Sequence, residues 1–325
     1  MSKKKVVITD SPFPSPQPFL DVLSELNCEV DFAELNNKEK FYNLCEEADG
    51  LIVTYADINK EVISHLKKCK ILARTGVAVN NIAIAEATKN NIFVTNVITP
   101  QIIDVANHAI TLLLNSVKRI TLLNNYVKKG NWDFSVAVPI YQLKDRTLGL
   151  AGFGNIAREV TKRAKAFDIK VIVYDPYVSD DVCKEAGVEK VSFEELLKRS
   201  DYISIHMPLT SETKKLFSWK QFEKMKEGVH LINTSRGGII DEDALIGMLE
   251  RKKIAGAGLD VLATEFPSND HPLYKYDNVI ITPHSAYYSE ECVRGLQICA
   301  ASEVVRVLKG ENPESVVNRE LLSLI

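Results

Sequence analysis

A Cys-x-x-Cys pair is missing from this sequence. Its six cysteines, Cys28, Cys45, Cys69, Cys183, Cys292 and Cys299, are scattered. That spacing argues against a zinc site or a disulfide framework and for reduced thiols that mostly pack. No strong charge imbalance exists either: the formal net charge is −3, so nothing global recruits nucleic acid or an anionic membrane. Long apolar runs are also lacking. The start "MSKKK" is too short for a polybasic patch and is followed only by Val6 to Ile8 before Thr9-Asp10. A signal peptide needs a longer apolar core and a membrane span a much longer one. The expectation is a cytoplasmic protein with no nucleic-acid or membrane partner and no metal.

What is present is an ordinary globular balance, 46% hydrophobic and 26% charged over 325 residues, enough for one large or two medium domains. The first hundred residues alternate strand-like runs ("KVVITD", "CEVDFAEL", "DGLIVTY", "KILARTG", "NIFVTNV") with helical stretches ("PFLDVLSEL", "KEKFYNLCEEA", "EVISHLKKC", "IAIAEATKN"). Such alternation implies a parallel sheet covered on both faces. "SPFPSPQP" reads as a stiff loop after the first strand. Residues 99–127 form one long helical pattern, apolar on more than one face around Ile110 and Leu112 to Leu114. A helix of that kind must be buried, between domains or against another subunit.

A second alternating region follows, with about six strand candidates: "RTLGLAGF", "KVIVYD", "DYISIH", "GVHLINT", "KIAGAGLD" and "NVIITPH". That is the size of a doubly wound dinucleotide-binding sheet. The helical run from Ser289 onward returns to the first domain. The expected division is 1–98 and 289–325 for one domain and 99–288 for the other.

Within the second region, Gly152-x-Gly154-x-x-Ala157 follows a strand and opens a helix. Small residues there let the backbone approach a pyrophosphate lying on the helix N-terminus. The next strand ends at Asp175, where a carboxylate can accept from a ribose hydroxyl and would repel a 2′-phosphate. No Arg or Lys follows closely in "DPYVSDDV", so NAD is favoured over NADP. Other polar residues stand at strand ends: His206, Thr234 to Arg236, Asp260 and His284. Open parallel sheets bind ligands outside those ends. His284 titrates near neutrality and suits acid-base work. Arg236, among glycines in "NTSRGG", can fork onto a carboxylate. On the residues alone each also has a structural reading, as a loop hydrogen bond or an ion pair, and Glu265 could equally be a surface acid.

Taken in order, "LGLAGFGNIA", "HMPLT", "INTSRGGIIDEDAL", "AGAGLDV" and "ITPHSA" resemble the D-isomer-specific 2-hydroxyacid dehydrogenase family over nearly the whole chain. "AKAFDIKVIVYDPY" and "AYYSEE" are most similar to the branch holding the C-terminal binding proteins, which is phosphoglycerate-dehydrogenase-like. The resemblance implies two doubly wound parallel-sheet domains, a Rossmann NAD-binding domain inserted into a flavodoxin-like substrate domain. It implies that Arg236, Glu265 and His284 are the catalytic trio: His284 gives a proton to a 2-keto acid while NADH delivers hydride. Glu265 holds the imidazole and keeps it protonated, and Arg236 binds the substrate carboxylate or polarises its carbonyl.

Cofactor contacts carried over are Gly152, Gly154, Asn155, Ile156, Asp175, Pro208, Thr213, Thr234 and Asp260. Those to substrate are the backbone around Val77 and Ala78, with Arg74 supporting the loop. His206 belongs to a family motif through its backbone and is assigned no chemistry.

Four positions depart from the family pattern, Ala78, Asn80, Asn107 and Phe266. The loop usually written Gly-Val-Gly-x-Asp-Asn reads Gly76-Val77-Ala78-Val79-Asn80-Asn81, Asn107 replaces a customary glutamate, and Phe266 stands where proline often follows. "GLIVTYADI" lacks the arginine that phosphoglycerate dehydrogenases usually offer a phosphate. No regulatory domain follows within these residues, so the expectation leans to glyoxylate, hydroxypyruvate or a related acid. Tyr287 and Tyr288 could line a pocket or pack at the domain junction. The family also implies a homodimer, for which the helix around Ile110 to Leu123 offers a surface. The alternative activity is an NAD(H)-responsive, corepressor-like binding protein with little turnover, against which stands the lack of long disordered tails.

Overall fold

A computed structural model describes residues 3–323. The chain forms two compact units, 1–101 with 289–325, and 102–288. The first boundary falls at Gln101 rather than at residue 98, because the helix opening at Ile102 packs with the second unit's sheet.

The first unit contains strands β1 (Lys4–Ile8), β2 (Cys28–Phe32), β3 (Gly50–Val53), β4 (Ile71–Arg74) and β5 (Phe93–Thr95). All are parallel, in the order β2-β1-β3-β4-β5. This is a flavodoxin-like winding. The strands β1, β3 and β4 are nearly continuous apolar runs because both faces are covered. Helix Glu290–Lys309 supplies part of that cover, starting at the Ser289 cap and ending at left-handed Gly310. Its buried Glu303 accepts from the amides of Glu314 and Ser315, and Asn318 accepts from the amide of Val94 in β5. Those side chains tie the chain's return to the unit it began.

The second unit has seven parallel strands: β6 (Thr147–Ala151), β7 (Lys170–Tyr174), β8 (Glu189–Lys190), β9 (Tyr202–Ile205), β10 (Val229–Asn233), β11 (Ile254–Leu259) and β12 (Val279–Ile281). Their order is β12-β11-β10-β9-β6-β7-β8. The winding reverses between β6 and β9, the place where such sheets bind ligands. Strand β8 escaped sequence reading because two exposed residues carry no periodicity.

The helical pattern over 99–127 is two helices, Ile102–Lys118 and Ile120–Lys128. They break at Arg119, which is left-handed with φ 53°. Asn115 clamps the break, accepting from the Thr121 amide and donating to its hydroxyl. The first helix packs against its own unit, which corrects part of the subunit surface expected around Ile110 to Leu123: Ile110, Leu112 and Leu113 lie in the core beside β10 and β11, whereas the stretch from Ile120 to Leu123 on the second helix is not buried. Glycines in β11 permit the close approach. A Cβ on Gly258 would lie 2.8 Å from Leu112 Cβ.

That contact also buries His230, whose Nδ1 lies 2.8 Å from Ser116 Oγ. Burial, with Arg119 nearby as a smaller cause, pushes the imidazole down to about 4 from its ordinary 6.5. The folded state therefore refuses a proton that the unfolded chain accepts. The associated stability is fully present above pH 6.5 and is lost as pH falls toward about 4. Both tryptophans, Trp132 and Trp219, belong to this unit. Their fluorescence in urea should show a lower midpoint at pH 5 than at pH 7. A His230→Gln variant should lose part of that difference; an undiminished difference would remove His230 as a source.

Candidate active site

Every candidate in the second unit stands at the carboxyl edge of its sheet. Strand β6 runs into Gly152, whose φ of +97° suits only glycine. A Cβ there would lie 2.6 Å from the His206 carbonyl oxygen. Burial holds the His206 ring neutral, at about 4, with Nε2 2.8 Å from Ser204 Oγ. Its backbone is what meets the glycine loop. Gly154 caps helix Asn155–Lys165 without a side chain, and a Cβ on it would meet nothing within 4 Å. The amides of Asn155 and Ile156 open that helix into free space, a ready site for a phosphate.

Asp175 is busier than a ribose ligand alone. Its Oδ2 accepts from Phe153 N at 2.8 Å, and Oδ1 from Tyr177 N and Val178 N at 2.8 and 3.2 Å. The carboxylate ties the glycine loop to the following turn, and Oδ2 keeps a lone pair for a hydroxyl. Thr213 donates to the Pro208 carbonyl at 2.6 Å and accepts from Thr210 N, closing that loop. Thr234 differs: its buried hydroxyl has no partner among the described residues. Open helix amides, a carboxylate with spare capacity and an orphaned hydroxyl on one sheet edge fit a dinucleotide.

Beyond β10, buried Asn233 shapes the next loop. It donates to the Arg236 carbonyl at 2.9 Å and accepts from the Ser235 amide and hydroxyl. Arg236 is extended and its Nη1 reaches the Ser235 carbonyl at 2.6 Å. Gly237 then lies so near the chain after β11 that a Cβ would sit 1.9 Å from the Leu262 carbonyl oxygen. Glu265 follows on that neighbouring segment and comes within 2.7 Å of His284 Nδ1. His284 itself is left-handed, φ 51°, a conformation that costs a side-chain-bearing residue about 1–3 kcal/mol and recurs at functional sites.

Asp260 holds that conformation. Fully buried, it accepts from Thr282 Oγ1, Ser285 N and Ala286 N, while its carbonyl accepts from His284 N at 2.8 Å. The carboxylate assigned to the cofactor from the sequence is thus mostly engaged in holding the histidine loop. Sequence reasoning missed Asn233 and Thr282 altogether. The available signal was a polar residue closing an apolar strand in "HLIN" and "VIIT".

Arg74, Val77 and Ala78 belong to the first unit. A Cβ on Gly76 would collide with the Arg74 guanidinium at 1.7 Å, so the arginine lies across that glycine. Asn96 donates to the Val77 carbonyl at 2.8 Å, and Asn81 donates to the carbonyls of Thr54 and Ala56. The loop keeps its anchors with Ala78 in the usual glycine position. Among the described residues no group of three or more His, Cys, Asp or Glu could hold a metal, and no helix is long and apolar enough to cross a membrane.

A doubly wound sheet with these features defines a dinucleotide-binding unit. Residues 110–286 match the family model of the D-isomer specific 2-hydroxyacid dehydrogenase, NAD binding domain. The chain belongs to the D-isomer-specific 2-hydroxyacid dehydrogenase family, and its cofactor is NAD. It is 40% identical to a glyoxylate reductase of Thermococcus litoralis, covering 85% of this chain and 86% of that one. It is 36% identical to a D-3-phosphoglycerate dehydrogenase of Archaeoglobus fulgidus over 97% of this chain but 59% of that enzyme. The chain spans about half to three-fifths of the length of the phosphoglycerate dehydrogenases it matches. Among solved structures, D-lactate dehydrogenase of Aquifex aeolicus with NAD and lactic acid superposes with a TM-score of 0.85 at 30% identity, covering 94% of this chain and 96% of that one.

Proposed function

We propose that this protein interconverts a small 2-keto acid and its D-2-hydroxy acid, reducing the keto acid with NADH. The observation that carries the reading is the 2.7 Å pair of Glu265 and His284 on a strained, left-handed backbone at a strand end. Bound NADH supplies the hydride to the carbonyl carbon. His284 gives the proton to the carbonyl oxygen from Nε2, because Nδ1 faces Glu265. The carboxylate of Glu265 accepts from Nδ1–H, which orients the ring. Arg236 binds the substrate carboxylate as a fork. Asn155 and Ile156 hold the pyrophosphate through their amides, and Asp175 accepts from a ribose hydroxyl. Thr234 lends its unpartnered hydroxyl, and the loop closed by Pro208 and Thr213 borders the cofactor. Within the first unit, the loop of Arg74, Val77 and Ala78 is the part offered to a substrate carboxylate.

The preferred substrate is unphosphorylated, glyoxylate or hydroxypyruvate. Two observations support this. Relatives aligned along most of both chains are glyoxylate reductases. In the first unit, the amides of Thr54, Tyr55 and Ala56 already face the Asp10 carboxylate, at 2.6 to 3.2 Å, with no arginine among them. An internal anion in that position disfavours a phosphate.

The test is NADH oxidation across glyoxylate, hydroxypyruvate, phosphohydroxypyruvate and an aromatic keto acid, with Arg236→Ala as control. Turnover on the first two, lost in the control, supports the reading. Tight NADH binding without turnover on any acid would transfer it to a nucleotide-sensing binding protein.

The protein works as a homodimer, through a different surface from the buried helix. The segment from Ile120 to Tyr141 exposes Trp132 (91%) and Phe134 (74%), with Ile120, Val136, Val138 and Tyr141 nearby. So much apolar surface on one segment is costly in water and is covered by a second copy. Light scattering should show a dimer for the parent and a monomer for Trp132→Asp/Phe134→Asp. A parent monomeric at micromolar concentration would refute this.

A further inference from the structure

We infer that His108 is a positioning residue for His284, acting through Thr282 and Asp260. The inference rests on the proposed role of His284 for its kinetic consequence, though not for its structural one.

His108 lies on helix Ile102–Lys118, far in sequence from the histidine loop, yet its Nε2 is 2.9 Å from Thr282 Oγ1. The same nitrogen is 3.5 Å from Asp260 Oδ1. Thr282 has one hydroxyl proton, and it points to Asp260 Oδ1 at 2.5 Å. Toward His108 that oxygen can only accept, so His108 must carry hydrogen on Nε2. The tautomer is thereby assigned by the partners. The hydrogen bond holds Thr282 in the rotamer that keeps its own proton on Asp260.

Asp260 in turn engages almost every residue around the catalytic candidate. Its carboxylate accepts from Thr282, Ser285 and Ala286, and its carbonyl accepts from the His284 amide. Only Pro283, which has no amide hydrogen to give, is left out. The loop is over-determined in this way because His284 sits at φ 51°; such a backbone persists only where its surroundings impose it. Removing the His108 donor empties one acceptor site on Thr282 and frees its hydroxyl to turn from a buried carboxylate. The anchor that holds His284 against Glu265 then loosens from the helix side.

The experiment compares His108→Leu, which packs but cannot donate, with His108→Gln, whose amide nitrogen reaches the place of Nε2. Displacement of a reacting group by about 1 Å costs up to ~10²-fold in rate. His108→Leu should therefore lower kcat for keto-acid reduction by about 10-fold or more with the KM for NADH unchanged, and His108→Gln should restore most of it. Independently of turnover, ring-nitrogen NMR of His284, assigned with His284→Gln, should show its Nδ1 signal displaced in the Leu variant and restored in the Gln variant.

Equal loss in both variants, or no change in either, overturns the inference. If no keto acid is turned over, the functional proposal fails while the NMR comparison still decides the role of His108. Should the Leu variant not fold, His108→Asn replaces it: polar but one carbon short of Gln, it must reproduce the loss.

Discussion

On the proposed function, replacing His284 by alanine should lower keto-acid reduction about 10³-fold or more while NADH binds as before. A positioned general acid typically contributes 10²–10⁴-fold, and neither buried imidazole at the neighbouring strands β9 and β10 can take its place. His206 is neutral with its Nε2 against Ser204, and His230 is buried beside Ser116 at the start of β10. The NADH contacts proposed above come from other residues, so its dissociation constant, read by fluorescence transfer from Trp219, should not move. Glu265→Gln should retain more activity than His284→Ala, since it weakens the orientation of the acid without deleting it. If His284→Ala keeps even a tenth of the parent rate, the proton comes from elsewhere and the trio must be reassigned.

The second large effect needs no reactive group. Gly237→Ala places a methyl 1.9 Å from the Leu262 carbonyl oxygen, backbone against backbone, with the Leu262 carbonyl carbon at 2.0 Å. Nothing flexible can yield, so either the Arg236 loop or the segment leading to Glu265 must move by an ångström or more. Turnover should fall about 10²-fold, and the unfolding midpoint read by tryptophan fluorescence should drop. Gly238→Ala is the matched control. Its methyl would meet the Leu209 side chain at 3.1 Å, which can rotate, so a change under about threefold is expected. Similar behaviour in the two variants would mean that this contact does not hold Arg236 and Glu265 in register.

Asn107 illustrates how a departure from the family pattern is absorbed. Its side-chain oxygen accepts from Arg163 Nε at 2.6 Å, joining helix Ile102–Lys118 to helix Asn155–Lys165. An amide oxygen suffices where a glutamate is customary. Phe266, in the usual proline position, is exposed and leaves the Glu265 contact intact. Both departures coexist with the 2.7 Å contact of Glu265 and His284.

Much of this molecule was determined by sequence alone. Alternating β-branched runs and helical stretches specify two parallel sheets, because a strand apolar on both sides must be covered on both sides. The glycine loop and Asp175 are equally local: they rely on small residues, a helix start and a strand end within one short segment. The helix break at Arg119 was not legible, since apolar periodicity passes through it and only the Asn115 clamp on Thr121 shows why it occurs. Nor was the function of Asp260, whose place at a strand end suits a ligand contact and a loop anchor alike. His108 and Thr282 are 174 residues apart, and no periodicity links them. Only the packing of one helix against a sheet brings them within hydrogen-bond distance. Local steric rules write the elements into the chain, whereas the direction of a side chain's hydrogen bond depends on which distant partner folding delivers to it.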